Sequence, residues 1–241
     1  QVLTFKNDKS TKSWAAQPGQ SINYVSCHDN LTFWDKLAIS NADDSEKTRI
    51  QMNKLGSAII LTSQGVPFFQ AGEEMLRSKP SATVEGGFDE NSYASPDSTN
   101  SIKWAEKAKA MDTYEYYKGL IAFRKAHNAL RMTTAADIQN NLIFMSGLAT
   151  NVIGYTIANN ANGDTAEKIT VIFNGSKNAV DVTLPAGTWE ICINDKTAGT
   201  ISLETVQGTV SVPDISAMVL VQGDDTIAKV ETKTEGETDV S

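Results

Sequence analysis

Apolar residues in the first half of the chain recur at helical spacing in two places. The first pattern predicts a helix from about residue 46 to residue 62, with Ser45 or Asp44 as its cap. The second predicts a helix from Asp112 to about His127, and Asp112 with Glu115 resembles a capping box at its start. Short apolar runs at residues 22–27 and 66–71 precede the two helices and predict buried strands. The order strand, helix, strand, helix therefore predicts two β/α units.

The spacing changes beyond Arg131, where short β-rich runs follow one another between turn clusters such as NNANGD, NGS, PAG and NDKTAG. Apolar and polar residues alternate in these runs, as they do in antiparallel strands with one buried face. This pattern predicts an all-β antiparallel sandwich. The predicted strands cover 141–145, 152–157, 168–173, 179–184, 188–193, 206–212 and 217–221.

A fold of the α+β class in two unequal parts follows from these patterns, with a boundary near residues 128–138. We assign residues 1–130 to the β/α part, 131–223 to the β-sandwich and 224–241 to an acidic tail. Two parallel strands cannot close a barrel, and both would leave unpaired edges. The first part therefore has the character of the last quarter of something larger. A long polar loop from Gly72 to about Ala110 lies within it, and loops of this length are usually functional.

Charge and cysteine content exclude several classes of function. The net charge is −8, and no basic stripe suited to phosphate binding is present, so nucleic acid is not an expected partner. No apolar run approaches the roughly 20 residues that span a bilayer, so a membrane is not expected either. Cys27 and Cys192 have no metal-site spacing, and we expect Cys27 to be a buried free thiol. Six acids and two lysines follow Gly223, which predicts a disordered tail or linker.

Polar residues suited to chemistry stand directly behind the two predicted strands. His28, Asp29 and Asn30 follow the first strand, and the second is followed by two glutamates and then Arg77. In parallel β/α architecture the residues past the carboxyl ends of the strands line the active-site face. On spacing alone, a structural histidine with a turn aspartate is the favoured interpretation of His28 and Asp29.

Four ordered stretches then resemble one known family. YVSCHDNLTFWDKL resembles the seventh-strand motif of the α-amylase superfamily (glycoside hydrolase family thirteen), and its longer form HDNLTFWDKL looks like type I pullulanases. GVPFFQAGEEMLRSKP is similar to their eighth-strand segment, and NSYASPDSTNSIKW to their substrate-loop motif. YYKGLIAFRKAHNALR is similar to the last barrel helix of the superfamily. The resemblance runs from about Ile22 to Arg131, and the β-rich remainder fits the domain that follows the barrel.

The resemblance implies strands seven and eight of a (β/α)8 barrel with their helices, and it implies roles for single residues. Asp29 would be the third acid of the family, which holds the hydroxyls of the bound glucose ring, and His28 would stabilise the transition state. Asn30, Asn91, Tyr93 and Asp97 would contact the glucan, and Arg77 would brace the substrate loop. Ala94 stands where the family often has Asn, so that contact is not expected.

Only the third acid of the family has a counterpart in these residues. A retaining glycosidase needs two carboxyl groups about 5–5.5 Å apart, one to attack and one to donate a proton. The resemblance therefore implies a C-terminal portion of a debranching enzyme that hydrolyses α-1,6-glucosidic linkages. Alone, this portion would be inactive. Its expected partners are an α-glucan, such as pullulan or a branched dextrin, and the missing N-terminal part of its own parent chain.

Other interpretations stay open at this point. The β-module could be a non-catalytic glucan-binding or structural fragment, or the parent could act on α-1,4 linkages. Asp89, Glu90 and Asp97 lack the alternating spacing of a calcium loop, so no metal and no cofactor is expected. Sugar stacking could involve the aromatic side chains of Trp14, Trp104, Trp189 and Phe33, although Trp189 fits a core position better.

Overall fold

The computed structural model describes residues 15–229 and contains five α-helices and eight strands within that range. The helices are α1 (Phe33–Ser40), α2 (Glu46–Thr62), α3 (Asp97–Asn100), α4 (Met111–Ala126) and α5 (Ala135–Asn141). The strands are β1 (Ile22–Asn23), β2 (Val66–Pro67), β3 (Leu142–Phe144), β4 (Val152–Ile157), β5 (Lys168–Asn174), β6 (Val180–Ile193), β7 (Glu204–Val212) and β8 (Ser216–Gln222). The fold is α+β, as predicted.

Strands β1 and β2 pair in parallel and are shorter than the sequence predicts. The amide of Val66 donates to Ser21 O at 2.8 Å, and the amide of Phe68 donates to Asn23 O at 2.9 Å. Pro67 lies between them, where an N–H would point away from β1. Its missing donor therefore breaks no bond in this pair. Because the strands are parallel, both chain segments leave the pair at the same end.

Helix α2 begins and ends where the pattern predicts, because Ser45 caps it. The Ser45 hydroxyl accepts from the amide of Thr48 at 3.1 Å, which satisfies one of the free donors of the first turn. The predicted capping box of α4 is wrong. Ala110 is the N-cap and makes no side-chain cap bond, whereas Glu115 pairs with Lys118 at 3.1 Å.

The remaining strands form one six-stranded antiparallel sheet in the order β3-β4-β5-β8-β6-β7. Two of the predicted strands, 179–184 and 188–193, are the single strand β6. The Pro185-Ala186-Gly187 segment makes an irregularity in its pairing with β7 rather than a turn. The predicted sandwich is therefore built from one continuous sheet. The first half of β6, from Val180, pairs only with β7. Together with β7 it packs over one face of the sheet.

Each face of this sheet has its own hydrophobic core. Helices α2 and α4 pack on one face and bury Leu61, Leu120 and Phe123 against Val171 and Val219. The other face is covered by the arm of β6 and β7, and its core consists of Val152, Ile172, Val182, Leu184, Trp189, Ile191, Val210, Val212, Met218 and Leu220. Trp189 is fully buried there and donates to Pro185 O at 2.9 Å, so it is a core residue.

Residues 224–229, predicted to belong to a disordered tail, pack on the sheet. Lys229 Nζ lies 2.8 Å from Glu190 Oε1, and the amide of Ser202 donates to Ala228 O at 2.8 Å. The rest of the predicted tail, residues 230–241, lies outside the described residues, as does Trp14. Between residues 15 and 229, no helix is long and apolar enough to cross a membrane.

Candidate functional site

The segments that follow β1 and β2 are joined by a buried glutamate. The Ser26 hydroxyl, after β1, donates to Glu73 Oε1, and the amide of Gln70, after β2, donates to the same oxygen at 2.9 Å. Glu73 is 3% exposed, and its Oε2 has no hydrogen-bond partner in the part of the chain that the structure describes. Burial raises the pKa of Glu73 above its ordinary value, and nearby Glu74 adds to the rise, against the lowering effect of the Ser26 and Gln70 bonds. Glu73 therefore acts as a structural clamp.

His28 and Asp29 stand on the surface at the carboxyl end of β1. Their side chains are 86% and 73% exposed, and His28 Nε2 lies 3.4 Å from Asp29 Oδ2. Asn30, also exposed, has a positive φ of 62°, a conformation that asparagine tolerates better than most residues. The chain then enters α1, whose cap is the Thr32 hydroxyl. Helix α1 and the left-handed Asn30 therefore hold the pair clear of the core, with its polar atoms open to a ligand.

Lys79, which the sequence analysis did not single out, supports this loop from inside. Its side chain is buried, and Nζ donates to His28 O at 2.6 Å and to Asn30 O at 3.2 Å. Its backbone amide donates to Asp35 Oδ2 at 2.7 Å. No feature of the SKP triplet in the sequence signals this role, because the contacts join residues about 50 positions apart.

Arg77 braces the polar loop that contains residues 89–100 by binding backbone carbonyls. Its guanidinium donates to Ala71 O at 3.0 Å and to Asn100 O at 2.6 Å. The side-chain amide of Asn100 in turn donates to Ser92 O at 2.6 Å and to Ser95 O at 3.0 Å. Two nitrogens of the guanidinium therefore bind backbone carbonyls, and these bonds hold the loop in place.

Asn91, Tyr93 and Asp97 lie on the exposed side of the braced loop. Tyr93 is 88% exposed, and Asp97 begins the short helix α3. Asp89 fixes the start of this segment, since its carboxylate accepts from the amide of Asn91 at 3.0 Å and from the hydroxyl of Ser95 at 2.5 Å. The amide of Asp89 donates to Lys79 O at 2.9 Å, so Lys79 connects this loop to the His28–Asn30 loop. The predicted residues therefore belong to two surface loops that share one buried scaffold.

One other prediction about a single side chain is settled by burial. Cys27 is only partly buried, so the expectation of a buried thiol in a strand is wrong for it. Trp104 is 70% exposed and free to stack on a ligand. Trp34, beside the site loop, lies under the Arg49 guanidinium at 5.9 Å.

One cluster of potential metal ligands exists in the described residues, away from these loops. Atoms of His127, Asp164 and Asp224 all lie within 4.8 Å of one another. The Asp164 carboxylate accepts from His127 Nδ1 at 3.0 Å and from the amides of Ala129 and Ala166 at 2.8 and 2.9 Å. Asp224 accepts from Thr165 and Thr226. Because the carboxylate oxygens already accept these bonds, we interpret the cluster as a structural network.

Comparison with known proteins matches this architecture to one family. The all-beta domain of pullulanase matches residues 138–197. The pullulanase of Bacillus subtilis is 38% identical over 169 residues, which are 70% of this chain and 22% of that protein. The chain belongs to the pullulanase family. Its similarity is to the C-terminal portion of type I pullulanases, and it spans less than a third of the length of these relatives.

Solved pullulanase structures extend the match over most of the chain. The enzyme from Bacillus acidopullulyticus superimposes with a TM-score of 0.81 at 43% identity, over 86% of this chain and 25% of that one. The type I pullulanase of Bacillus subtilis, solved in complex with maltose, gives a TM-score of 0.80 at 33% identity, over 89% of this chain and 29% of that one. The pullulanase relationship therefore covers both the β/α part and the sheet.

Proposed function

We propose that this chain forms the C-terminal part of a debranching glycoside hydrolase that cleaves α-1,6-glucosidic linkages in pullulan or limit dextrins with retention. The observation that carries the proposal is the exposed His28–Asp29 pair, held at the carboxyl end of β1 beside a braced polar loop. The family relationship supplies the reaction, and the maltose bound by the Bacillus subtilis relative supports an α-glucan as the ligand.

In this proposal β1 and β2 are strands seven and eight of a (β/α)8 barrel, and α2 and α4 are the helices that follow them. Residues 1–130 form the last quarter of the barrel, and 131–223 form the domain behind it. The parallel strand pair is open on both edges within the described residues. Ile22 is 59% exposed, and Tyr24, Val66 and Phe68 are 54%, 43% and 42% exposed. An apolar surface of this kind supports a partner that covers it, namely the N-terminal part of the parent chain.

Asp29 acts on the glucose ring at the scissile bond. As an exposed carboxylate it can accept hydrogen bonds from two ring hydroxyls, and such bonds favour the distorted, oxocarbenium-like ring if they shorten in the transition state. His28 donates to the same ring from Nε2 or Nδ1. Neither group can attack the anomeric carbon and protonate the leaving oxygen in one cycle. The nucleophile and the general acid therefore come from the N-terminal part, and the isolated chain is inactive.

The second loop forms one wall of the cleft. Tyr93 offers a ring face for stacking on a sugar, while Asn91 and Asp97 offer polar atoms to its hydroxyls. Asn30 contributes its amide from the first loop. Arg77 contributes to binding by fixing the loop, since its guanidinium bonds to Ala71 O and Asn100 O.

The proposal is tested with the longer protein that contains this chain. Asp29→Asn should lower the rate of reducing-end release from pullulan by about a hundredfold or more, because it removes a charge that faces the developing oxocarbenium ion. Asp181→Asn, an equally conservative change at an exposed position on β6, should leave the rate unchanged. Unchanged hydrolysis by the Asp29→Asn enzyme would refute the assigned site. Hydrolysis of pullulan by the 241-residue chain alone would refute the assignment of the nucleophile and the general acid to the N-terminal part.

The alternative of a glucan-binding β-module is less well supported. Trp189, the tryptophan of the sheet, is fully buried and cannot stack on a sugar. Binding of maltose by the full chain that survives Asp29→Asn and Tyr93→Ala together would favour that alternative. Linkage analysis of the products from the longer protein separates α-1,6 from α-1,4 cleavage.

A further inference from the structure

We propose that Lys79 is a positioning residue for Asp29, which it holds in place by binding the backbone carbonyls on either side of it. This inference rests on the proposed function, which assigns Asp29 to the glucan. The observation behind it is that one buried ammonium group donates to His28 O at 2.6 Å and to Asn30 O at 3.2 Å.

The two carbonyls fix the backbone of Asp29 because they belong to its neighbours. Asn30 has a left-handed φ, and the chain bends at residues 28–30. A residue in that conformation persists only if its surroundings hold it there. The Lys79 ammonium supplies two charge-assisted bonds from inside the fold, and these are stronger than bonds between neutral groups. The Asp29 side chain itself stays exposed, so the clamp leaves it free for a ligand.

Lys79 is itself held rigidly, as a clamp requires. Its side chain is 2% exposed, and its amide donates to the Oδ2 atom of fully buried Asp35 at 2.7 Å. Its carbonyl accepts from the amide of Asp89, which fixes the start of the second loop. A single residue therefore sets the position of both loops, and the separation of Asp29 from the Asn91–Asp97 wall depends on it.

The charges around Lys79 are consistent with this role. Burial lowers the pKa of its ammonium and Arg77 lowers it further, whereas Asp35, Asp89 and Asp29 favour the charged form. The three carboxylates thus offset only part of the cost of placing a cation under the loop, and the pKa of Lys79 stays below its ordinary value. An apolar side chain of similar length, such as that of methionine, would fill the same space without holding either carbonyl.

The two cysteines provide a readout of loop position that does not depend on activity. Cys27 precedes His28, is partly buried, and has its Sγ 3.9 Å from Asp29 O. Cys192 is fully buried, and burial raises the pKa of its thiol to about 12, so it stays unreactive while the protein is folded. The rate of modification by a soluble disulfide reagent therefore reports on the loop at Cys27.

In the full 241-residue chain, Lys79→Met should raise the rate of Cys27 modification by about tenfold, because the loop loses both charge-assisted bonds. Lys79→Arg, which keeps a cation with several donors, should bring the rate of Cys27 modification back towards that of the chain with Lys79. Lys54→Met is the matched control, since Lys54 is also buried but lies against Asp112 and Tyr116. Lys79→Gln is measured beside Lys79→Met in case the latter fails to fold. Equal rates in the unmodified, Lys79→Met and Lys79→Gln chains would overturn the inference.

In the longer protein, a double-mutant cycle on pullulan hydrolysis tests whether Lys79 acts through Asp29. Lys79→Met should lower kcat more than it raises KM. Combined with Asp29→Asn it should cost much less than the product of the two single effects, because the clamp has no purpose once the carboxylate is gone. Fully independent effects would overturn the inference. If the unmodified longer protein does not hydrolyse pullulan, the proposed function fails, and the thiol measurement alone then decides the role of Lys79.

Discussion

Replacement of Asp164 tests the network that joins the end of α4 to the sheet. The Asp164 side chain is fully buried and accepts three hydrogen bonds, from His127 Nδ1 and from the amides of Ala129 and Ala166. Asp164→Ala leaves these three donors buried without an acceptor. Each neutral donor left in this state costs about 1–3 kcal/mol, so the free energy of unfolding should fall by at least about 3 kcal/mol.

Asp164→Asn should cost less, because the amide keeps one oxygen. That oxygen can still accept from His127 and Ala166, which both bond to Oδ1, whereas its NH2 group would face the Ala129 amide. One lost bond and one donor–donor contact predict a loss of about 1–3 kcal/mol. Urea unfolding of the full chain, followed by circular dichroism, measures both variants against Asp181→Asn, which should change stability by less than about 0.5 kcal/mol. A loss below about 1 kcal/mol for Asp164→Ala would refute the reasoning.

The difference in stability between the original chain and Asp164→Asn should depend on pH, and its direction can be predicted. Burial alone would raise the pKa of Asp164, but the bonds from His127, Ala129 and Ala166 outweigh it and hold the pKa below the ordinary value of 3.8. A lowered carboxyl pKa stabilises the fold fully above the unfolded value, and this stabilisation is lost as the pH falls through the folded pKa. The advantage of the unmodified chain over Asp164→Asn should therefore be constant at neutral pH and shrink below about pH 4. An advantage that persists unchanged to lower pH would contradict the assignment.

Two further predictions concern packing. Gly119→Ala in α4 should destabilise the protein by about 1–3 kcal/mol, because the new Cβ would lie 1.9 Å from Ala198 O, although helix propensity alone favours alanine. Thermal unfolding measures the change, and Gly199→Ala, whose new Cβ would have nothing within 4 Å, is the control. A Gly119→Ala variant that is more stable than the original protein would show that the contact is absent. The full chain should associate as its concentration rises, because β1 and β2 expose Ile22 and Val66. A constant monomer mass in light scattering would rule this out.

The sequence predicts an element well where one local signal dominates. The predicted bounds of helix α2, about residues 46 to 62, match the observed ones, and the cap at Ser45 marks its start. Helix α1 was missed, since its start at Thr32 lies among Asn and Asp residues that favour a loop. The strand β6 was predicted as two strands, because Pro185 and Gly187 normally mark a turn. Pairing with β7 both before and after this segment, at Thr183 and at Thr188, makes it one strand.

The site follows the same division. His28 and Asp29 could be found from the sequence, because a strand end and a family motif both mark them. Lys79 and Glu73 act through partners that are more than 40 residues away in the chain, and no local pattern announces such contacts. The position of a polar side chain at a strand end can be predicted, whereas the buried groups that hold it require the fold.

The shared core under the sheet has a consequence for how this polypeptide can be divided. Ala58, Leu61 and Phe123 from the two long helices lie in the same apolar cluster as Val219 and Val221 from β8. A cut near residue 130 would separate two sequence segments but would split one solvent-excluded interior between them. Each piece would expose part of this core to water, so neither should unfold cooperatively when it is expressed alone. For protein engineering, the helices and the sheet form a single unit, and grafts onto another protein should carry them together.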